Sequence, residues 1–292
     1  MKIIDMHTHA QDILFPLDSP HVRPSRGVLI RLFEWGRYNS HSSRPFRHKL
    51  RKRIARETQA RNAMASFDAL IKGMERSGVT HSVVLPVEPY ASSAEVLSRA
   101  EGDNRLIPFA SVDPYDPRRT EKLRNCVKSG CRGLKLHPLI QDFHPAGQEC
   151  FETVEEFGQY GLPVFFHCGE IPYYLPESES ESYGAPGNYV KIFAAFPGVK
   201  FVMGHMGMFE AREAIEIAQV FENVYLDTSF QPIRVVRRAV ERVGGDRIVF
   251  GTDWPFGGQR YGLAIIMRLT KGNPWLRERL LWKNAEELIG QA

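Results

Sequence analysis

Cysteine is scarce in this sequence and forms no recognisable framework. The 292 residues contain four cysteines, with no CxxC pair and no regular spacing: Cys126, Cys131, Cys150 and Cys168. This usage argues against a disulfide framework and predicts reduced thiols in a cytoplasmic protein. Charge of one sign is scarce too, since the formal net charge at pH 7 is only +4. That balance gives no strong case for nucleic acid as a partner.

Long apolar runs are absent as well. No run approaches the roughly 20 residues that span a bilayer, and no charged-then-apolar segment of the secretory type opens the sequence. We therefore expect no membrane partner. No GxGxxG fingerprint follows an apolar run, which argues against an open dinucleotide-binding sheet. The remaining composition, 43% hydrophobic and 25% charged, is typical of a soluble globular protein.

Short β-rich runs alternate with segments of helical apolar spacing along the whole sequence. Eight runs predict strands: 2–9, 81–87, 106–112, 133–138, 163–169, 200–207, 224–229 and 247–255. Helical spacing between them covers 55–77, 120–129, 149–160, 209–220 and 232–243. Alternating strands and helices imply parallel βαβ units, and eight such units close into a barrel. We predict an α/β fold, a (β/α)8 TIM barrel, as a single domain over residues 1–292.

Two stretches interrupt this alternation. A long insertion follows strand 1, from about Gln11 to Ala55, and a dense basic run overlaps its end, between Arg44 and Arg56. Such a run can grip phosphates, but a solvated face or a partner surface is the preferred interpretation, and nucleic acid binding is not expected. The second stretch, Pro176–Pro186, follows strand 5 and is either an active-site lid or a plain surface loop.

Potential metal ligands stand at the ends of four predicted strands. His7 and His9 lie two residues apart in "DMHTHA", so their side chains share one face of strand 1. Strands 5, 6 and 8 end in His167, His205 and Asp253. The carboxyl ends of barrel strands meet at one rim, where active sites form. Five residues of the metal-binding types at this rim predict a metal-dependent active site.

The expected ligands are three imidazole nitrogens, from His7, His9 and His167, and a carboxylate oxygen of Asp253. Zn²⁺ is the first choice of ion, with Mn²⁺ and Fe²⁺ as alternatives. Asp253 would also take the proton from a metal-activated water. His205 would polarise a substrate carbonyl, act as general acid or base, or hold a second metal ion.

The "GLKLHP" segment of strand 4 places Lys135 and His137 on the lumen side, opposite the two leucines. Lys135 is a candidate charge partner for substrate, a carboxylated bridge between two metal ions, or a partner in an internal salt bridge to Asp113 or Asp5. His137 either joins the site or ends the strand. One metal ion and two metal ions both remain open at this point.

Loops after strands 5, 7 and 8 supply candidate substrate contacts. Their aromatic and basic side chains could clamp an aromatic ring or a carboxylate, although rim packing is the alternative for each of them: Tyr173, Tyr174, Phe230, Trp254 and Arg260. The expected partner is a small-molecule substrate. A homodimer is also considered, because such barrels often pair through their exterior.

The ordered motifs "DMHTHA", "GLKLHP", "PVFFHCG", "GHMG", "VYLDTS" and "VFGTDWPF" together resemble the amidohydrolase superfamily. More narrowly, they resemble its amidohydrolase-2 branch, which contains aminocarboxymuconate-semialdehyde decarboxylase. The match runs from Asp5 to Phe256. The resemblance implies a TIM barrel, a metal ion held by His7, His9, His167 and Asp253, and a catalytic His205.

Two features depart from that branch. Its decarboxylases are usually longer and do not obviously carry "GLKLHP", and Lys135 is reminiscent of the strand-4 lysine that becomes carboxylated in two-metal hydrolases of the superfamily. TatD-like nucleases are similar barrels, but a glutamate is expected on their strand 4, so the lysine argues against nuclease activity.

Three functions are compatible with these observations. The first is a metal-dependent hydrolase that cleaves a C–O or C–N bond of a lactone, ester or amide in a small carboxylated molecule. The second is a metal-dependent non-oxidative decarboxylase of an aromatic or muconate-type acid. The third, a binding barrel without turnover, ranks well below the enzymes because a scaffold has no reason to assemble these ligands.

Overall fold

The computed structural model describes residues 1–14, 57–58, 60–170 and 182–290. All pairings between its strands are parallel. The strands are β1 (Ile4–Thr8), β2 (His81–Val84), β3 (Leu106–Pro108), β4 (Ala110–Ser111), β5 (Leu134–Leu136), β6 (Val164–Phe166), β7 (Phe201–Met203), β8 (Val224–Asp227) and β9 (Ile248–Val249). The basic run at Arg44–Arg56 and most of the Pro176–Pro186 stretch lie outside the described residues.

Helices follow most of these strands. They are α1 (Phe67–Ser77), α2 (Ser93–Gly102), α3 (Arg119–Lys128), α4 (Gln148–Gly158), α5 (Val190–Ala195), α6 (Ala211–Val220), α7 (Ile233–Val243), α8 (Gln259–Leu269), α9 (Pro274–Glu278) and α10 (Asn284–Ile289). The predicted helix 55–77 is interrupted, because Ser66 caps the start of α1: its Oγ accepts a hydrogen bond from the Ala69 amide at 3.2 Å. The predicted helical segments do not include α2, α5, α8, α9 or α10.

The strands follow one another in chain order around the barrel. Hydrogen-bonded pairs run β1-β2-β3 and then β4 through β9, and β3 and β4 are two pieces of one barrel strand separated by Phe109. The Phe109 amide donates to Val84 O at 3.2 Å, while the next amide, of Ala110, donates to Gly133 O at 2.8 Å. The switch of partner explains the break, and the eight predicted strands are all present.

Hydrogen bonds also connect the first strand with the segment that follows the last. The Met6 amide donates to Phe250 O at 2.8 Å, the Asp253 amide to His7 O at 2.8 Å, and the His9 amide to Trp254 O at 2.7 Å. The parallel bridge between Thr8 and Trp254 belongs to the same seam. The predicted TIM-barrel fold is confirmed, and its seam lies beside the predicted metal ligands.

Two layers of apolar side chains hold the barrel together. The interior cluster consists of strand residues and of side chains from α10: Ile4, Met6, Val83, Leu85, Ile107, Phe109, Phe165, Val202, Val249, Ala285, Leu288 and Ile289. A larger cluster fills the space between strands and helices. All four cysteines are buried free thiols. Within the described part of the chain, no helix is long and apolar enough to cross a membrane.

Candidate metal centre

A bulge in β1 turns His7 and His9 towards the barrel interior. Between Asp5 and Thr8 the strand advances three residues while β2 advances two, from Ser82 to Val84. The extra residue changes which side of the strand faces inwards. Ile4 and Met6 therefore belong to the interior cluster, and His7 also lies inside, with its ring edge-on to Phe165 at 4.7 Å between centroids.

Three predicted ligands converge on one point. Nε2 of His7 and Nε2 of His9 each lie 3.2 Å from Oδ1 of Asp253. All three side chains are buried. Asp253 follows β9 in a left-handed conformation, φ 57°, which a non-glycine residue adopts at an energetic cost. The hydrogen bond from its amide to His7 O stabilises this conformation at the seam.

The other ring nitrogens show which form these imidazoles take. Nδ1 of His9 donates to Leu85 O at 2.7 Å, because a carbonyl oxygen can only accept. Nδ1 of His7 lies 2.8 Å from Oδ2 of Asp227 and donates to that carboxylate. His7 Nε2 is directed at Asp253 and is buried without a hydrogen-bond partner among the described residues.

The lone pair of His7 Nε2 thus faces a carboxyl oxygen with no donor between them, and a cation is needed there. A proton does not fill this role at His7, because burial lowers its pKa well below the ordinary value. A divalent ion fits: two imidazole nitrogens and one carboxylate oxygen are typical ligands of a catalytic zinc site. His7, His9 and Asp253 pass this test on their own geometry.

His205 is carried by an unusual turn. After β7, four consecutive residues adopt positive φ: His205 (55°), Met206 (49°), Gly207 (74°) and Met208 (52°). For the non-glycine residues this costs roughly 1–2 kcal/mol each. Hydrogen bonds offset the cost, since the Gln231 side-chain amide donates to the carbonyls of both His205 and Met208.

His167 and His205 form a second pair of acceptors. The Ser229 hydroxyl donates to Asp227, so its oxygen accepts from His205 Nδ1 at 2.8 Å. Nε2 of His167 donates to Gly169 O at 3.0 Å. The remaining nitrogens, His205 Nε2 and His167 Nδ1, are both unprotonated and face each other at 3.2 Å. Burial holds the pKa of both rings well below the ordinary range.

The structure brings three of the four expected ligands within reach of one cation, and the four-ligand set stays a prediction. His7, His9 and Asp253 come together, whereas His167 lies beside His205 and stacks on His137 at 4.0 Å between ring centroids. His7, His205 and Asp227 form a second set of ligand atoms close enough to hold a cation. The His167 ring contacts His205, whose own ring lies 4.6 Å from that of His7 between centroids.

The sequence profile described as amidohydrolase matches residues 4–291. The chain belongs to the amidohydrolase family. The resemblance to the amidohydrolase-2 branch is thereby confirmed. Members of this family are metal-dependent enzymes, either hydrolases or decarboxylases. No curated protein matches the sequence.

Several solved structures resemble this amidohydrolase over nearly the full length of both chains. A 2,6-dihydroxybenzoate decarboxylase from Rhizobium has a TM-score of 0.67 at 16% identity, covering 99% of this chain and 98% of that chain. A zinc-bound amidohydrolase from Burkholderia multivorans scores 0.65 at 15% identity, with 100% of both chains covered. A probable 2-pyrone-4,6-dicarboxylic acid hydrolase from Acinetobacter baumannii with bound citric acid scores 0.62 at 14% identity, covering 99% and 100%. At these identities the likeness concerns the fold.

Lys135 of this amidohydrolase is fully buried inside the barrel. Its Nζ has no hydrogen-bond partner among the described residues and lies 4.8 Å from the centre of the Phe165 ring. The salt bridge considered from the sequence is not formed: Asp5 instead accepts hydrogen bonds from the Thr252 amide and hydroxyl and from Gln259. Burial lowers the pKa of Lys135 to about 7.

The residues that follow β5 are arranged around His137. Its amide donates to Gln141 Oε1 at 2.8 Å, and its Nδ1 accepts from the Ile140 amide at 3.2 Å. The Gln141 side-chain amide donates onward to the carbonyls of Glu88 and Val112. His137 therefore ends the strand and also supports His167, the ring on which it stacks.

The predicted substrate contacts separate into two groups. Phe230 stacks on His205, with 5.2 Å between ring centroids, and belongs to an apolar group at the barrel mouth: Ile13, Leu14, Val87, Ala91, Ile140, Phe230 and Phe256. Trp254 does not join it, since its indole lies against Gly73 of α1, between barrel and helix. Arg260 is exposed on the first turn of α8. Tyr173 and Tyr174 lie outside the described residues.

Sequence reasoning missed Asp227, which contacts both His7 and His205. Its two oxygens accept from His7 Nδ1, from the amides of His205 and Ser229, and from the Ser229 hydroxyl. Burial raises the pKa of Asp227 to about 6. The sequence offered one signal, the position of Asp227 at a strand end. Asp227 is the last residue of β8, the seventh strand of the barrel, in "VYLDTS", and Asp253 comes after β9, the eighth.

Proposed function

We propose that this amidohydrolase is a metal-dependent hydrolase that cleaves a C–O or C–N bond of a lactone, ester or amide in a small carboxylated molecule. The observation that carries the proposal is the convergence of His7 Nε2, His9 Nε2 and Asp253 Oδ1 on three buried side chains. Zn²⁺ suits this mixture of imidazole and carboxylate, with Mn²⁺ and Fe²⁺ as alternatives.

One ion at this cluster is the simplest occupancy. A second ion, if present, would use the facing nitrogens of His167 and His205, with Lys135 as the neighbouring side chain. We propose that the site, with its barrel, forms a single domain acting on a small-molecule substrate. The homodimer and the cytoplasmic location stay predictions.

The chemistry that a divalent ion supplies when bound here is Lewis acidity, which polarises a carbonyl oxygen and makes water more acidic. The protein's own contribution starts with Asp253, whose Oδ1 faces the two imidazoles. Its second oxygen, Oδ2, is left to take the proton from the attacking water. The His205 ring lies beside His7, with 4.6 Å between ring centroids, and its Nε2 is unprotonated, so this ring accepts a proton or a hydrogen bond rather than donating one at the start of the reaction.

Lys135 and the apolar mouth act on the substrate. With a pKa of about 7, the amine is partly protonated at neutral pH and attracts a carboxylate. Phe230 and Phe256 exclude water above His205 and His9, because both rings are buried within contact distance of those imidazoles. Exclusion of water strengthens each electrostatic interaction within the site.

A second candidate is a non-oxidative decarboxylase of an aromatic or muconate-type acid. The stacking of Phe230 on His205 favours it, since an aromatic substrate that entered the same apolar group would lie near a ring able to exchange a proton with carbon. The fold of the Rhizobium decarboxylase is consistent with this alternative. A binding barrel without turnover remains the distant third function, because two sets of facing acceptors are costly without a cation.

The experiment that tests the proposal combines metal analysis with a substrate panel. Metal content is measured by mass spectrometry on chelator-free protein, wild type and His9→Ala, with His81→Ala as the matched control at the far end of β2. We expect about one ion in the wild type and the control, and loss of the ion in His9→Ala.

The panel then compares lactones with hydroxybenzoates and muconates. Incorporation of ¹⁸O from labelled water into the product supports hydrolysis, whereas release of carbon dioxide without such incorporation supports the decarboxylase. Folded wild-type protein that takes up no divalent ion when supplied with it would overturn both.

A further inference from the structure

One buried carboxylate contacts both the metal-ligand candidate His7 and the catalytic candidate His205. Asp227 is 0% exposed at the end of β8. Its Oδ2 lies 2.8 Å from His7 Nδ1 and 2.9 Å from the His205 amide, and it also accepts from the Ser229 hydroxyl. Its Oδ1 accepts from the Ser229 amide at 3.1 Å. We propose that Asp227 is the positioning residue that fixes the tautomer of His7 and the placement of His205.

The first effect concerns His7. A carboxylate oxygen at 2.8 Å requires a proton on Nδ1, which leaves Nε2 with its lone pair directed at Asp253. In the other tautomer, two acceptors would face each other at Nδ1 and an N–H would occupy the metal position. Partners that orient a ligating imidazole in this way typically contribute 10–100-fold to metal affinity. This part of the inference rests on the proposed function, in which His7 holds the metal.

The second effect concerns the left-handed turn that carries His205. Asp227 accepts from the His205 amide at the first of the four positive-φ residues, and through the Ser229 hydroxyl it also sets the proton on His205 Nδ1. Removal of the Ser229 hydroxyl would therefore act mainly on the His205 side chain, since this oxygen lies 2.8 Å from His205 Nδ1 but 3.4 Å from His7 Nδ1. Removal of the Asp227 charge would weaken the contacts to His205 and to His7 together.

The backbone opposite Asp227 leaves room for it. A Cβ atom at Gly251 would lie 2.0 Å from Asp227 Oδ1 and 2.9 Å from His7 Cβ. Any side chain at position 251 would therefore push the carboxylate away from the imidazole or displace His7 itself. The glycine in "VFGTDW" is thus explained by the contact between Asp227 and His7.

The test compares Asp227→Asn with Ser229→Ala and has two readouts other than activity. Zn²⁺ affinity is measured by competition with a chromogenic chelator. Histidine tautomers in metal-free protein are measured by ¹⁵N-edited NMR of the imidazoles, with His7 assigned from the signals lost in His7→Gln. We expect Asp227→Asn to bind Zn²⁺ about 10–100-fold more weakly and the Nδ1–H tautomer of His7 to become less populated, since an amide oxygen is a weaker acceptor than a carboxylate. Ser229→Ala keeps the carboxylate beside His7 and removes only a 3.4 Å contact to it, so its affinity and His7 tautomer should stay close to wild type while the His205 signals change.

Wild-type affinity together with an unchanged His7 tautomer in Asp227→Asn would overturn the inference. If wild-type protein binds no Zn²⁺, the proposed function fails, while the NMR comparison still decides the role of Asp227. If circular dichroism finds Asp227→Asn unfolded, Gly251→Ala provides a second test, since its methyl group would meet Asp227 Oδ1 at 2.0 Å and His7 Cβ only at 2.9 Å. A folded Gly251→Ala protein with wild-type affinity and tautomer would equally overturn it.

Discussion

Replacement of Lys135 by methionine should stabilise the metal-free protein at neutral pH. The amine is fully buried and without a hydrogen-bond partner among the described residues, and burial lowers its pKa from 10.5 to about 7. In the unfolded chain the same amine keeps a pKa near 10.4. At about 1.4 kcal/mol for each pH unit, this difference corresponds to about 5 kcal/mol of lost stability at and below pH 7.

The pH window of this effect follows from the direction of the shift. Between pH 7 and pH 10.5 the unfolded chain binds more protons at this lysine than the folded protein, so the stability of the wild type rises with pH relative to Lys135→Met. Above pH 10.5 the amine is neutral in both the folded and the unfolded protein, and its effect on the free energy of unfolding disappears. Methionine keeps a flexible side chain of similar length against the Phe165 ring, a favourable sulfur–aromatic contact.

The assay is urea unfolding of both proteins without metal at pH 7, 9 and 10.5, followed by circular dichroism. Lys200→Met is the matched control, because Lys200 is an exposed lysine whose Nζ donates to Glu287 O. We expect a gain of several kcal/mol for Lys135→Met at pH 7 that shrinks towards pH 10.5, and no such trend in the control. A Lys135→Met protein no more stable than wild type at pH 7, with no dependence on pH, would refute the reasoning.

Two further predictions concern the His205 turn and the split strand. Gln231→Leu removes both hydrogen bonds to the carbonyls of the left-handed turn. We therefore expect turnover, measured by steady-state kinetics, to fall at least tenfold, while Zn²⁺ affinity, measured by chelator competition, stays at the wild-type value. Unchanged turnover would count against this prediction. Gly133→Ala places a Cβ 2.3 Å from the Phe109 ring and should destabilise the protein by about 1–3 kcal/mol. Phe109→Leu in the same protein should restore most of the lost stability. Urea unfolding of the two single variants and the double variant measures these changes, and additive losses of stability would contradict the predicted contact.

The barrel could be predicted because its signal is repeated along the chain. Each apolar run is short, but eight of them alternating with helices leave few parallel architectures, and the polar residues at their ends then fall on one rim. The contacts on that rim could not be predicted in the same way. His167 and Asp253 both follow barrel strands. Asp253 contacts His7 and His9, whereas His167 turns one nitrogen to Gly169 O and the other to His205.

Asp227 shows how a positional rule can be applied too narrowly. Asp227 is the last residue of β8, and Asp253 comes after β9. The role of Asp227 is visible only in the folded chain, where β1, β7 and β8 are adjacent, since its partners His7 and His205 lie 220 and 22 residues away in the sequence. Tautomers are decided by such partners rather than by the histidines themselves. The local sequence therefore identifies the imidazoles, and the fold decides which nitrogen of each one is available.

The orientation of His7 and His9 depends on a feature that the sequence pattern argues against. In a regular strand, the apolar Ile4 and Met6 would face the core and the histidines would point to the opposite side. Apolar periodicity alone would thus aim the histidines away from the lumen. The extra residue of β1 between Asp5 and Thr8 reverses this parity, so that Ile4 and Met6 fill the interior and His7 still reaches Asp253. Hydrogen bonds from within and from outside the strand stabilise the bulge, because Asp5 accepts from the His7 amide at 3.3 Å and from the Thr252 amide at 2.9 Å. The aspartate that opens "DMHTHA" therefore fixes the strand geometry on which its two histidines depend.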